Sequence, residues 1–367
     1  MSKKAWSPPA GRIPYLDGLR AFSITTVVLG HASLFIPWLS TRVGTAFGVV
    51  FANSSFGVRV FFVLSGFLIT TLLLNELEAT GRISIKGFYE RRIARIFPAF
   101  YTYLLTILIL MLSHHIDVRW GDLANAATYT WNYSWLWYPP GRVAGEVLGL
   151  FWTLSLEEQF YLVWPACLIL LGRRWAERLV IACVIFLPFV RIACYFLFPS
   201  TRGQLMMMFH TGSDQLLWGA VAAFACRRGA IDRVREFRYR AAIPWLCGLA
   251  VFVVGPILEE KARRLSVPLI PSMQCISVVF FVLWLLGGQG GHVRRTLESW
   301  PLVQLGLLSY SLYLWQSIFI LWDGVAHIWL PLRLLGALLM AILSYRVIEV
   351  PMRSIIRRWF AQAQPAH

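Results

Sequence analysis

Charged residues are scarce in this 367-residue chain: Asp, Glu, Lys and Arg make up 14% of it, whereas 58% is apolar. This balance excludes an ordinary soluble globular protein, in which about 25% of residues are charged. The chain also lacks a polar stretch long enough for a separate soluble domain, because the largest gap between apolar runs, 115–147, is short and aromatic. The sequence therefore indicates a protein embedded in a membrane.

Cysteine is equally sparse, and its spacing argues against two kinds of site. The six cysteines show no CxxC pattern and all fall inside apolar runs, so we expect neither a disulfide framework nor a zinc site, and no metal. The first residues are basic but lack a cleavable apolar core, which favours a retained cytoplasmic segment over a signal peptide.

What the chain does have is a series of apolar runs, each long enough to cross a bilayer as a helix. The ten predicted spans are 19–39, 49–74, 98–114, 148–171, 178–198, 205–226, 241–258, 269–287, 301–322 and 331–350. The fold prediction is an all-α polytopic membrane protein, with residues 1–367 forming a single transmembrane domain and no fused periplasmic domain.

The formal charge of +16 does not indicate nucleic-acid binding, because the 34 Lys and Arg residues concentrate in alternate loops. Such an asymmetry marks the cytoplasmic side of a membrane protein and predicts that both termini are cytoplasmic.

The first span carries three ionisable residues where lipid would favour none: Asp17, Arg20 and His31. Helical geometry puts Arg20 and His31 within about 20° of the same face and roughly 16 Å apart along the axis. Asp17 lies one turn before Arg20 and is predicted to pair with it. The alternative is that Arg20 reaches the lipid headgroups and that His31 forms a hydrogen bond with a neighbouring helix. Because ionisable groups at this depth are costly, we favour a slot with a cation at its mouth and a titratable base deeper inside.

The second basic cluster is "GFYERRIARIFPAF" (87–100), between spans two and three. Arg92 and Arg95 share a helical face, with Arg91 beside them, and guanidinium pairs suit phosphate groups. The alternative is that these charges only enforce membrane orientation.

"FWTLSLEEQFYLVWP" (151–165) begins the fourth span. Ser155 and Glu158 fit a capping box, which leaves Glu157 as the unexplained acid. We interpret Glu157 as facing inward near His31, against the alternative of a carboxylate favoured by a helix start. Ser65 lies in "FFVLSGFLI" without a GxSxG elbow, so a nucleophilic role for it is disfavoured.

Three weaker features lie later in the chain. Asp214 and His210 are one turn apart, but without a third ligand a polar helix contact is favoured over a metal pair. Tyr313 lies in "LSYSLYLWQS", and Glu349 is predicted to pair with Arg346 at a helix end. The aromatic stretch 128–140 suits either sugar stacking or ordinary interfacial anchoring.

Together, these stretches resemble the acyltransferase-3 family of integral membrane acyltransferases. The resemblance covers essentially the whole chain and rests on motifs in the expected order: "LDGLRAFSITTVVLGHA", "FFVLSGFLI", "RRIARIFPAF", "SLEEQFYLVWP" and "SYSLYLW". It implies transfer of an acyl group, usually acetyl, from cytoplasmic acyl-CoA to a hydroxyl of a carbohydrate or glycoconjugate, in a bacterial cytoplasmic membrane.

By position, the resemblance assigns the family's essential Arg–His pair to Arg20 and His31, its basic pair to Arg92 and Arg95, and its acid to Glu157. Two departures stand out: Gln316 occupies a place where many relatives carry His, and Gly212 one where many carry Arg, which leaves the role of Asp214 open.

Several alternatives stay open at this point. The resemblance permits His31 to act as a general base or as a transient acyl carrier. A transporter of lipid-linked glycans or small anions would also place Arg and His in the membrane, although the chain shows no internal duplication. A non-catalytic scaffold would predict that His31→Ala leaves the phenotype intact. The acceptor, the acyl chain length and the oligomeric state are not set by the sequence.

Overall fold

The computed structural model describes residues 12–36, 48–136 and 141–362, and its regular elements there are helical. The α-helices are α1 (Pro14–Ala32), α2 (Ser54–Thr80), α3 (Ile85–Leu112), α4 (Trp120–Ala127), α5 (Arg142–Leu148), α6 (Phe151–Leu197), α7 (Phe209–Gly212), α8 (Asp214–Arg227), α9 (Ala230–Glu236), α10 (Ile243–Leu249), α11 (Gly255–Lys261), α12 (Arg263–Leu286), α13 (Gly291–Leu297), α14 (Trp300–Gln316), α15 (Leu330–Leu343) and α16 (Val350–Gln362). Three π-helical segments, Ala250–Val254, Ser317–Leu321 and Ser344–Glu349, continue α10, α14 and α15. The all-α prediction is confirmed.

Within the described residues, eight helices are long and apolar enough to cross a membrane. One of them, α6, is 47 residues long and turns at Gly172, whose φ of 68° and ψ of 166° are not helical. Two of the predicted spans, 148–171 and 178–198, fall on either side of this turn. The predicted span at 205–226 contains α8, which has only 14 residues. The protein is therefore a polytopic membrane protein, whereas the count of ten and the side of the termini stay predictions.

Both ends of α2 and the start of α3 have well-defined capping residues. The Asn53 side chain accepts a hydrogen bond from the backbone N–H of Phe56 at 2.9 Å and so begins α2. Gly81 ends α2 with a φ of 72°, a left-handed conformation that glycine adopts without a steric penalty. Ser84 then caps α3 through the N–H of Gly87. Short polar signals thus set both ends of the connection that leads to the basic cluster.

The described chain divides into two contact units, one of Met1–Ile83 and Leu156–Leu307 and the other of Ser84–Ser155 and Leu308–His367. In the first unit, α2 packs against α8 through two glycines. A Cβ atom added to Gly66 would lie 1.9 Å from the carbonyl oxygen of Leu216, and one added to Gly219 would lie 2.1 Å from that of Val63. Such small residues let helix backbones approach closely in a bilayer, where close packing drives helix association.

Aromatic side chains form much of the second unit. Tyr129 stacks on Phe100 with ring centroids 4.4 Å apart, and Trp131 is buried. Tyr103 donates a hydrogen bond to the carbonyl oxygen of Val147 at 2.6 Å. In the aromatic stretch 128–140, Trp131 therefore packs inside the protein, whereas Tyr129 is half-buried with its ring against Phe100. Residues 137–140 lie outside the described residues.

Candidate active site

Helix α1 carries Asp17 and Arg20 as an ion pair. The Arg20 Nη1 and Asp17 Oδ1 atoms are 3.9 Å apart, and Arg12 Nε lies 2.6 Å from the other oxygen of Asp17. The predicted Asp17–Arg20 pair is confirmed, although Asp17 is shared with a second guanidinium. Asp17 is 6% exposed and takes part in both ion pairs. Arg20 and His31 are both half-buried on this helix.

Glycine contacts fix how α1 lies against α2. A Cβ atom added to Gly30 would be 2.8 Å from Cβ of Ser54, and one added to Gly57 would be 2.8 Å from the carbonyl oxygen of Ser23. The Ser23 hydroxyl also donates to the carbonyl oxygen of Gly57. These pairs show that the two helices run antiparallel and in close contact.

Two hydroxyl groups, one on α2 and one on α6, donate hydrogen bonds to the Glu157 carboxylate. Its Oε1 atom accepts hydrogen bonds from Ser65 of α2 and from Tyr161, one turn further along α6. The two hydroxyl oxygens are 2.9 Å apart, so the three groups form one cluster. Ser65 and Tyr161 are both buried, and among the described residues the hydrogen bonds of Glu157 go to these two.

This cluster lies far from His31 along the axis of α2. Because Gly30 meets Ser54, His31 is level with the start of α2, and Ser65 follows roughly 16 Å further along that helix. Since α1 is antiparallel to α2, this displacement leads back towards the level of Arg20. The prediction that Glu157 lies near His31 is therefore wrong, and the reason is the helix packing, which sequence periodicity does not report.

The predicted capping box at Ser155 and Glu158 is also wrong. Helix α6 begins at Phe151, so Ser155 lies inside the first turns rather than at the N-cap. The Ser155 hydroxyl is buried without a hydrogen-bond partner among the described residues.

Asp214 forms a buried ion pair with Arg191, a residue that the sequence did not single out. Arg191 Nη2 lies 2.6 Å from Asp214 Oδ1, and both side chains are fully buried. The Nε–H of Arg191 donates to the carbonyl oxygen of Thr211 at 2.9 Å. This contact joins α6 to α8, which confirms the polar helix contact favoured for Asp214. A lone arginine inside an apolar run was the signal that could have identified Arg191.

A second polar contact within the first unit joins Arg59 to Gln274 at 2.6 Å. It links α2 to α12. In the described residues, no group of three His, Cys, Asp or Glu side chains could hold a metal ion.

The basic cluster lies in the N-terminal part of α3, a helix that begins at Ile85 and so earlier than the predicted span 98–114. Arg92 is half-buried, with its guanidinium 5.9 Å from the ring centre of Phe88, whereas Arg91 and Arg95 are exposed. Within the same unit, the positive charge of Arg95 attracts the carboxylate of Glu349.

Polar groups of the last two spans contact one another and Thr153 of α6. Tyr313 lies 2.7 Å from the hydroxyl of Thr153, and the Gln316 amide donates to the carbonyl oxygen of Tyr313 at 3.4 Å. Glu349 contacts Ser311 and pairs with Arg353 at 3.7 Å. The predicted pairing of Glu349 with Arg346 is wrong, because the segment Ser344–Glu349 is π-helical and its wider turn changes which residues align.

Comparison with known proteins decides the family. An acyltransferase domain family matches residues 13–348, nearly the whole chain. The chain belongs to this acyltransferase family. The predicted family resemblance is thereby confirmed.

Two curated relatives of this acyltransferase are bacterial O-acetyltransferases. The O-acetyltransferase OatA of Staphylococcus aureus is 28% identical over 96% of this chain and 58% of its own length. The peptidoglycan O-acetyltransferase OatA of Listeria monocytogenes is 27% identical over 93% of this chain and 56% of its own length. The chain thus spans little more than half the length of these relatives. No solved structure matches it.

Within this acyltransferase, the structure separates two groups of polar residues that the sequence could not distinguish. Asp17, Asp214 and Glu349 are buried acids that form ion pairs with arginines. Glu157 is held instead by two hydroxyl groups, with no cation bonded to its carboxylate in the described chain. Glu157 is half-buried, and its second carboxylate oxygen makes no hydrogen bond with a described residue.

Proposed function

We propose that this protein is a membrane O-acetyltransferase that transfers an acetyl group from acyl-CoA to a hydroxyl of a cell-wall carbohydrate. The observation that carries the proposal is the family match over residues 13–348, together with two relatives named as O-acetyltransferases over more than nine-tenths of the chain. The name of the Listeria relative indicates peptidoglycan as the acceptor class, and we extend that class to this chain.

His31 is the proposed proton acceptor of the reaction. The acceptor hydroxyl attacks the thioester carbonyl carbon, a C–O bond forms as the C–S bond breaks, and the hydroxyl proton passes to the imidazole. The imidazole then returns this proton to the departing CoA thiolate. A positioned general base of this kind contributes about 10²- to 10⁴-fold to the rate. In the alternative route, the imidazole itself takes the acetyl group and passes it to the hydroxyl.

The donor's phosphates are the proposed ligands of Arg92 and Arg95, with Arg91 adjacent and Arg20 acting on the donor from α1. Guanidinium groups bind phosphate through two parallel hydrogen bonds, and two of them on one helical face increase this affinity. The position of Arg92 and Arg95 in the N-terminal part of a helix supports this role.

Glu157 has a proposed role in binding rather than in activating His31. Ser65 and Tyr161 hold one of its oxygens, and the other makes no hydrogen bond with a described residue. A carboxylate oxygen accepts N–H groups, and the pantetheine arm of CoA carries two amides. We therefore assign Glu157 to the donor's amide groups, with Ser65 and Tyr161 as positioning residues.

The experiment is complementation in a bacterium that lacks its own wall O-acetyltransferase. Cells producing the wild-type protein are expected to carry O-acetyl groups on their muropeptides, measured by mass spectrometry, and cells producing His31→Ala are not. His115→Ala, an exposed histidine on the same chain, is the matched control and should behave as wild type. Equal acetylation with His31→Ala would contradict the proposal.

A further inference from the structure

Helix α16 carries an arginine that the proposed donor site does not include. Arg353 has 30% of its side chain exposed and pairs with Glu349, one turn earlier. The Arg353 Nη2 and Glu349 Oε2 atoms are 3.7 Å apart, which is too far for a hydrogen bond. The Nε atom of Arg353 is buried and has no hydrogen-bond partner among the described residues. This guanidinium group therefore has donors left for a further ligand.

The Glu349 carboxylate is shared among several groups and does not balance the charge around it. Its Oε1 atom accepts a hydrogen bond from Ser311, and its negative charge attracts Arg95 as well as Arg353. One buried carboxylate thus faces two guanidinium groups. Because charge that is partly removed from water is costly unless it is paired, the excess of positive charge favours an anion as the further ligand.

Contacts with α14 bring this ion pair close to the basic cluster on α3. The Tyr310 hydroxyl donates to the carbonyl oxygen of Ile96 at 3.2 Å, directly after Arg95 in the chain. The next residue of α14, Ser311, donates to the carboxylate of Glu349. Helix α3 also packs against α16 and the π-helical segment before it. All these residues belong to the second unit, in which the two arginine-bearing helices therefore meet.

The charged end of this last helix extends beyond the hydrocarbon of the bilayer. The membrane-spanning segment runs from Leu330 to Phe360 and has 31 residues, or about 46 Å, whereas the hydrocarbon layer is roughly 30 Å thick. Charged side chains are costly inside that layer, so the end with Arg353 and the exposed Arg358 is the one that lies outside it. A water-soluble anion can reach Arg353 there.

We infer that Arg353 binds a phosphate group of the CoA donor and so extends the site of Arg92 and Arg95 from α3 to α16. A phosphate presents several oxygen acceptors, and a guanidinium group donates to two of them in parallel. The inference rests on the proposed function, because it takes CoA as the donor. A phospholipid headgroup offers the same phosphate chemistry, and the test separates these two sources.

Two substitutions break the same ion pair but have opposite effects on an anion. Arg353→Gln removes the positive charge and should raise the Kd for CoA by about tenfold, because a hydrogen bond to a charged group is worth about 1.5 kcal/mol or more. Glu349→Gln retains Arg353 and removes a negative charge beside the phosphate, so CoA should bind at least as tightly as it does to wild type. If the pair had only a structural role, both substitutions would weaken CoA binding.

The measurement is isothermal titration calorimetry of CoA into the purified full chain in mild detergent, without an acceptor. Arg358→Gln is the matched control, since Arg358 is an exposed arginine on the same helix, and it should bind CoA as wild type does. Size-exclusion profiles of all the variants establish that they are folded. Native mass spectrometry of the same samples reports any phospholipid that each protein retains.

Two results with folded protein would overturn the inference while leaving the proposed function in place. The first is a Kd for CoA that is unchanged in Arg353→Gln, and a phospholipid lost by that variant at unchanged Kd would assign Arg353 to a lipid headgroup instead. The second is equal weakening by Arg353→Gln and Glu349→Gln. Wild-type protein that does not bind CoA would contradict the proposed donor, and this inference with it.

Discussion

Removing either partner of the Arg191–Asp214 pair should destabilise the protein strongly, and removing both should not. Both side chains are fully buried, so Asp214→Leu leaves an unpaired guanidinium and Arg191→Met an unpaired carboxylate. Breaking a buried pair costs about 3–5 kcal/mol, against a total stability of roughly 5–15 kcal/mol.

The structure also ranks the two single variants. Without Asp214, Arg191 still donates to the carbonyl oxygen of Thr211 at 2.9 Å. Asp214→Leu should therefore lower the free energy of unfolding by about 3 kcal/mol. Without Arg191, Asp214 has no compensation, because its Oδ2 atom already lacks a hydrogen-bond partner in the described chain. Arg191→Met should therefore lower the free energy of unfolding by about 5 kcal/mol. The double variant Arg191→Met/Asp214→Leu replaces the pair with apolar groups and should remain within about 1 kcal/mol of wild type, or exceed it.

The assay is equilibrium unfolding of the purified protein by SDS titration in mixed micelles, together with complementation in cells. The reasoning is refuted if Asp214→Leu is as stable as wild type, or if the double variant is less stable than both single variants. A folded, stable Asp214→Leu protein without acetylation would instead place Asp214 in the chemistry.

Three further changes test other parts of the structure. Gly219→Leu should prevent accumulation of folded protein, measured by size-exclusion chromatography, because a Cβ atom there would overlap the α2 backbone, with its closest atom 2.1 Å away. Ser65→Ala and Tyr161→Phe should each raise KM for acetyl-CoA by about tenfold with kcat little changed, because each removes a hydrogen bond worth about 1.5 kcal/mol or more to a charged group. A large loss of kcat at unchanged KM would contradict a positioning role in donor binding. Arg92→Ala and Arg95→Ala should raise KM for acetyl-CoA more than KM for acetyl-pantetheine, and an equal effect on both donors would exclude a phosphate contact.

Local features of the sequence predicted local features of the structure well. The pairing of Asp17 with Arg20 and the helical face of Arg92 and Arg95 depend on spacing within one turn, which helical geometry fixes. The apolar runs likewise predicted a helical membrane protein, and the family resemblance was confirmed over nearly the whole chain.

Contacts between distant segments were not predictable in the same way. Ser65 lies 92 residues before Glu157, and Arg191 lies on a different helix from Asp214. Which helices meet depends on close packing at glycines such as Gly66. The ion-pair prediction for Glu349 was wrong for a different reason: a π-helical turn changes the residue spacing on which that prediction depended.

The central claim is that His31 either accepts the proton of the acceptor hydroxyl or carries the acetyl group itself, and turnover of labelled acetyl-CoA by the purified protein tests it directly. Wild type and His115→Ala should release CoA and acetylate a soluble muropeptide, whereas His31→Ala should be slower by about 10²-fold or more. Turnover by His31→Ala at the wild-type rate, or no turnover of acetyl-CoA by the folded wild-type protein, would contradict the account.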